Sequence, residues 1–222
     1  MNSKKNWLLL VIVSIGVMTP FVAPYLTFNP DNSRVVIISP TIQYPVLIAH
    51  IVFACLALIS GFIQFIKRIR LQKPKIHRFL GRLYVGSILI SGLLALVLVF
   101  YAENFTKAIS FLVLSLIWLY TCWKGLRAAV GKEMNEHRRW MFRSYGVTLV
   151  AVSARLLVPV LLLTYYILNG FSLPAGREKM IEEVLNVNIW VGLILNFIII
   201  EWRILNSGKI KSNNAQRDGI QI

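Results

Sequence analysis

Six apolar stretches, each close to the ~20 residues that cross a bilayer as a helix, constrain this chain more than any other feature. They cover about 7–27, 45–66, 79–101, 108–130, 140–168 and 185–205. In hydrocarbon every backbone polar group needs a partner within the chain. The expected fold is therefore an all-α, polytopic integral membrane bundle of six transmembrane helices. Composition agrees, since only 15% of the 222 residues are charged and mean hydropathy is +0.66. A soluble domain would carry about a quarter charged residues. One transmembrane domain, 1–206, is expected, followed by a polar tail, 207–222, read as disordered. The first stretch follows Lys4 and Lys5 as a signal peptide would, but Pro24 directly after Phe21-Val22-Ala23 spoils cleavage, so it reads as an uncleaved helix.

The basic residues set the expected orientation. Lys4, Lys5, six Lys/Arg in 67–78, five in 124–139 and four in 203–217 fall on one side, seventeen in all. Arg34, Lys107, Arg177 and Lys179 fall on the other, beside five acidic residues. Both termini are therefore expected in the cytoplasm. The net charge of +15 reads as a topology and anionic-lipid signal, with membrane lipids and their anionic headgroups as partners and no nucleic acid.

Several polar groups fall inside the spans. His50, Ala54, Ala57, Gly61 and Gln64 share one face of the second helix, and His77, Tyr84 and Ser91 one face of the third. His137, Ser144, Thr148 and Arg155 form a stripe expected to run the length of the fifth helix, and Asn188, Gly192 and Asn196 a stripe on the sixth. Small residues permit close backbone approach and polar ones bond across, so helices 2, 3, 5 and 6 are expected to build the core. At 1.5 Å of rise per residue, His50 and Arg155 fall at similar depth and read as an outer polar pair. Glu201 is the natural partner of Arg82 or Arg143. The loop 28–44 contains a β-prone run, Val35-Val36-Ile37-Ile38. Cys55 and Cys122 read as structural thiols, the tryptophans, Trp118 included, as interface belts and packing, and Pro20, Pro24 and Pro159 as tolerated kinks.

Two blocks carry the remaining chemistry. His77-Arg78-Phe79-Leu80-Gly81-Arg82-Leu83-Tyr84 is echoed by His137-Arg138-Arg139-Trp140-Met141-Phe142-Arg143-Ser144-Tyr145, with one residue inserted. With the Thr148…Arg155 stretch, these blocks resemble a bacterial family of predicted membrane proteins, domain of unknown function 2306, over about 45–165. The resemblance implies a bacterial cytoplasmic membrane location and a shared role for His50, His77, Arg82, His137, Arg143 and Arg155. It implies no activity.

Two helix N-termini with His77, Arg78, Arg82, Tyr84, His137, Arg138, Arg143, Tyr145 and Glu201 suit a phosphate- or carboxylate-bearing ligand. The leading expectation is thus an anionic lipid-like or cofactor ligand at an inner-leaflet site between helices 3 and 5. A b-type haem ligated by His77 and His137 is the alternative, although both lie among cations where a haem wants an apolar slot. A transporter lacks the paired broken helices that mark a midplane site. A purely structural reading treats each His-Arg pair as a helix-end anchor. No nucleophile triad, phosphate-binding loop or paired carboxylates occur, so hydrolase and kinase chemistry find no support.

Overall fold

The structure is a computed structural model that describes residues 3–217, with side chains described from 5 to 206. It is all-helical, and no strand occurs among the described residues. Among the described residues eight α-helices follow in order: α1 (Ser3–Val22), α2 (Gln43–Gln64), α3 (Lys67–Gln72), α4 (Pro74–Leu98), α5 (Phe105–Val130), α6 (Met134–Thr148), α7 (Val150–Leu168) and α8 (Gly176–Arg217). Six stretches are long and apolar enough to span a membrane, lying in α1, α2, α4, α5, α7 and α8. Their apolar windows are only 6–33% buried, so most of the apolar surface faces outward, as lipid contact requires. The helix of the last span continues without a break through the polar segment after Asn206 as far as Arg217, and residues 218–222 of the expected tail lie outside those described.

The polar stripes account for the packing. α2 lies along α4, α4 against α5, α5 against α6, and α8 against both α6 and α7, with α1 resting on α7. His50 and Ser91 join α2 to α4 reciprocally. His50 Nδ1 lies 2.9 Å from the Ser91 carbonyl, and Ser91 Oγ donates to the His50 carbonyl at 3.0 Å. At Gly61 the α2 backbone has no side chain and Tyr145 of α6 fills the space. Between α7 and α8, a methyl on Gly192 would stand 3.1 Å from the Ala154 nitrogen, so glycine sets that close approach.

The structure corrects the sequence reading in several places. The fifth span is not one helix, because α6 ends at Thr148 and α7 starts at Val150, with no Pro at the break. Leu149 has φ −75° and ψ −7°, and the interrupted ladder is repaired from outside. Asn196 of α8 donates its side-chain amide to the Gly146 carbonyl at 2.9 Å. Such substitution is how a membrane helix tolerates a break. The polar stripe of this span consequently ends at Thr148, and Arg155 beyond it faces α1. The core also includes α5, whose Trp118 and Cys122 are buried in it. The β-prone run 35–38 stays in the loop where the sequence put it and makes no strand. The buried Gln43 side chain accepts from the Ile38 and Ser39 N–H groups and donates to the Val36 carbonyl, taking up the backbone groups a strand would pair.

Candidate functional site

α4 and α6 start alike. Pro74 is at the first turn of α4, which its missing N–H favours, and neither helix has a side-chain cap at its N-terminus. His77 and His137 are each the fourth residue of their helix, with backbone N–H bonds to Lys73 (3.0 Å) and Glu133 (2.8 Å). The repeated motif is thus the same register used at two helix heads. The two imidazoles lie within electrostatic reach of each other, and Arg70 of α3 also acts on His77.

The hydrogen bonds leave ring nitrogens open. His137 Nδ1 lies 2.8 Å from the Gly125 carbonyl of α5, which can only accept, so Nδ1 carries the proton and the neutral ring keeps a lone pair on Nε2. His77 Nδ1 is enclosed and makes no hydrogen bond among the described residues. Arg78 and Arg138, the next residue after each histidine, are exposed, Arg138 over the Phe142 ring at 5.8 Å. Glu136, also in the first turn of α6, is occupied by Arg139 at 2.7 Å.

The other expected members of the site do not join the histidines. Arg82 is exposed and forms no ion pair among the described residues. Arg143 is the partner of Glu201 instead, through a two-pronged contact at 2.6 and 3.1 Å, with its guanidinium 4.6 Å above Trp140. A cleft of about 600 Å³ opens beside this pair, lined by Glu136, Arg139, Trp202 and Leu205 among others.

Tyr84 and Tyr145 are buried in the core rather than facing a ligand. Tyr145 donates to the Leu58 carbonyl at 3.1 Å, and its ring packs on Phe62 and Phe65. Tyr84 bridges Ser144 (3.0 Å) and Thr148 (3.1 Å), while Trp118 donates its indole N–H to Thr148 at 2.9 Å. Proton counting orders this network. Thr148 donates to the Ser144 carbonyl, so it can only accept from Trp118 and Tyr84, and the Ser144 hydroxyl then donates to Tyr84. Fully satisfied, the network locks α4, α5 and α6 together just before the break at Leu149.

At the far end the expected pair is absent. His50 is engaged by Ser91, whereas Arg155 stacks on Phe21 of α1. Arg70, Trp118 and Gly125 were not anticipated. Trp118, Cys122 and Gly125 follow the four-then-three spacing of a single helix face, a signal that places Trp118 inward. Arg70 carries no such signal, because its position depends on the short α3.

Comparison with known families now bears on this arrangement. The family model described as a predicted membrane protein family, DUF2306, matches residues 47–202. The chain belongs to this family. The match extends past the 45–165 region that carried the resemblance and takes in most of α8, hence Asn196 and Glu201. No curated protein and no solved structure matches the chain. Membership of DUF2306 therefore establishes a predicted membrane protein, and the geometry has to carry any reading of its function.

Proposed function

We propose that this DUF2306 protein binds an anionic, lipid-like ligand at the heads of α4 and α6, with that end of the bundle facing the cytoplasm. One observation carries the reading. His77 and His137 hold the same register at the two helix heads within electrostatic reach of each other, His77 Nδ1 has no hydrogen-bond partner among the described residues, and Arg70 also acts on His77. Two uncapped helix N-termini add unpaired N–H groups and partial positive charge. Phosphate or carboxylate oxygens are the natural complement of such a set. Arg78 and Arg138, each next in sequence to one of the histidines, are exposed and available to a headgroup, whereas Arg143 is neutralised by Glu201 and contributes to folding.

Orientation has a direct test. Cysteines introduced at Val35 and Ala175 are expected to label from outside the cell, and those at Arg70, Glu133 and Ser212 only after permeabilisation. Labelling of position 70 from outside would reverse the orientation.

The ligand is tested by mass spectrometry of co-purified lipids and cofactors, with an absorption spectrum of the same sample. His77→Ala and His137→Ala are each expected to abolish retention of the anionic species, and the double variant to add little, because residues acting on one ligand are not additive. Unchanged profiles in all three variants would make the motif a helix-end anchor used twice. A Soret band lost in either variant would replace the lipid reading with axial ligation of haem by the two rings.

A further inference from the structure

Arg155 sits in a membrane helix and has no counter-charge among the described residues. Its guanidinium carbon lies 4.9 Å from the centre of the Phe21 ring on α1. Arg34, from the loop after α1, lies 5.0 Å from the centre of the same ring. Each arginine also donates to a backbone carbonyl, Arg155 to Ala151 at 2.7 Å and Arg34 to Pro20 at 3.1 Å. Arg155 Nε is enclosed and makes no hydrogen bond among the described residues. The titratable groups acting on Arg155 are Tyr25 and the second cation, Arg34. Neither arginine takes part in an ion pair with a carboxylate among the described residues.

This arrangement is poorly compensated as it stands. The face of Phe21 offsets some of the charge, but two cations on one ring repel each other. An intramembrane arginine is ordinarily paired or turned toward water, and leaving it facing a like charge is costly. Arg143 shows the usual solution in this same chain, with both oxygens of Glu201 in its fork. Arg155 has the fork and an idle N–H but lacks the acid.

We infer that Arg34 and Arg155, set on Phe21, form a second anion site that takes a phosphate-type oxyanion at the end of the bundle opposite His77 and His137. Arginine suits that role, because its planar fork meets phosphate oxygens two at a time. Arg34 is exposed, so the site opens to the surface and is reached from the headgroup layer or from water. A phospholipid phosphodiester and free phosphate share this chemistry. The inference stands apart from the histidine site, since the two share no residue.

The test uses the full chain in detergent, titrated with short-chain phosphatidylglycerol or with inorganic phosphate and followed by native mass spectrometry. Arg34→Gln and Arg155→Gln are each expected to weaken phosphatidylglycerol binding about tenfold, the loss of one charge-assisted contact. Arg34→Lys, which keeps the charge and loses the fork, should fall in between. His77→Ala should leave this binding event in place, which separates it from the ligand at the heads of α4 and α6. Displacement of the lipid by millimolar phosphate would assign the site to free phosphate, and indifference to phosphate would assign it to the lipid headgroup. Should Arg155→Gln fail to fold, Arg34→Gln decides, because Arg34 is exposed. Wild-type binding of both probes by a folded Arg34→Gln variant would overturn the inference.

Discussion

Glu201→Gln is expected to lower the stability of the detergent-solubilised protein by about 1–3 kcal/mol, read as a fall in melting temperature. Glu201 holds Arg143 by both oxygens, and each side chain is 23% exposed, so water screens the pair only in part. Removing the carboxylate charge leaves the guanidinium resting on Trp140 with only the more distant Glu136 to offset it, on the helix that leads into the break between α6 and α7. Partial exposure is why the figure stays below the ~3–5 kcal/mol seen when one partner of a fully buried pair is removed. Glu136→Gln is the control. It breaks the Arg139 pair, whose side chains are 51% and 42% exposed, and should cost only a few tenths of a kcal/mol. Equal effects from the two variants would mean that water already carries the Glu201 charge.

Gly61→Ala is expected to cost about 3 kcal/mol, at the upper end of what overpacking does. The added methyl would overlap the Tyr145 ring, which must move. Tyr145 cannot move freely, because its hydroxyl holds the Leu58 carbonyl at 3.1 Å and its ring lies 5.0 Å from Phe65. The seam between α2 and α6 would open, and with it the aromatic cluster below Tyr84. Gly86→Ala on α4 meets no atom within 4 Å and should be neutral or stabilising by up to ~1 kcal/mol, since alanine favours helix over glycine. A melting temperature for Gly61→Ala matching that of Gly86→Ala would show that the seam is looser than the structure has it.

The two predictions differ in how far the sequence anticipates them. Glu201 stands out as the acidic residue within a span, and its need for a cation follows from the cost of an unpaired charge in hydrocarbon. The choice between Arg82 and Arg143 does not follow, because both lie near the same end. It is made by which helix face turns toward α8. Gly61 belongs to a readable small-residue stripe, yet its contact with Tyr145 depends on α6 crossing α2 at that point. Trp118 fits either an interface belt or core packing by sequence, and the structure places it in the core for a related reason. Its amphipathic ring suits a membrane surface equally well, and only its neighbour Thr148, thirty residues away, draws the indole N–H inward.

The membrane class, the helical content and the register of His77 and His137 follow from local features of the chain. Apolar runs of spanning length leave helix as the way to satisfy the backbone, and a repeated motif at two helix starts fixes which residue comes fourth. The break at Leu149 does not follow, because no proline or paired glycine announces it and Asn196 supplies the missing bond from another helix. That break ends the polar stripe at Thr148. It leaves Arg155 on Phe21 and His50 on Ser91, where helical spacing had put the two at one depth. Periodicity along a chain holds only while the helix is continuous, so which polar groups meet is settled by the partner helices that mend or interrupt it.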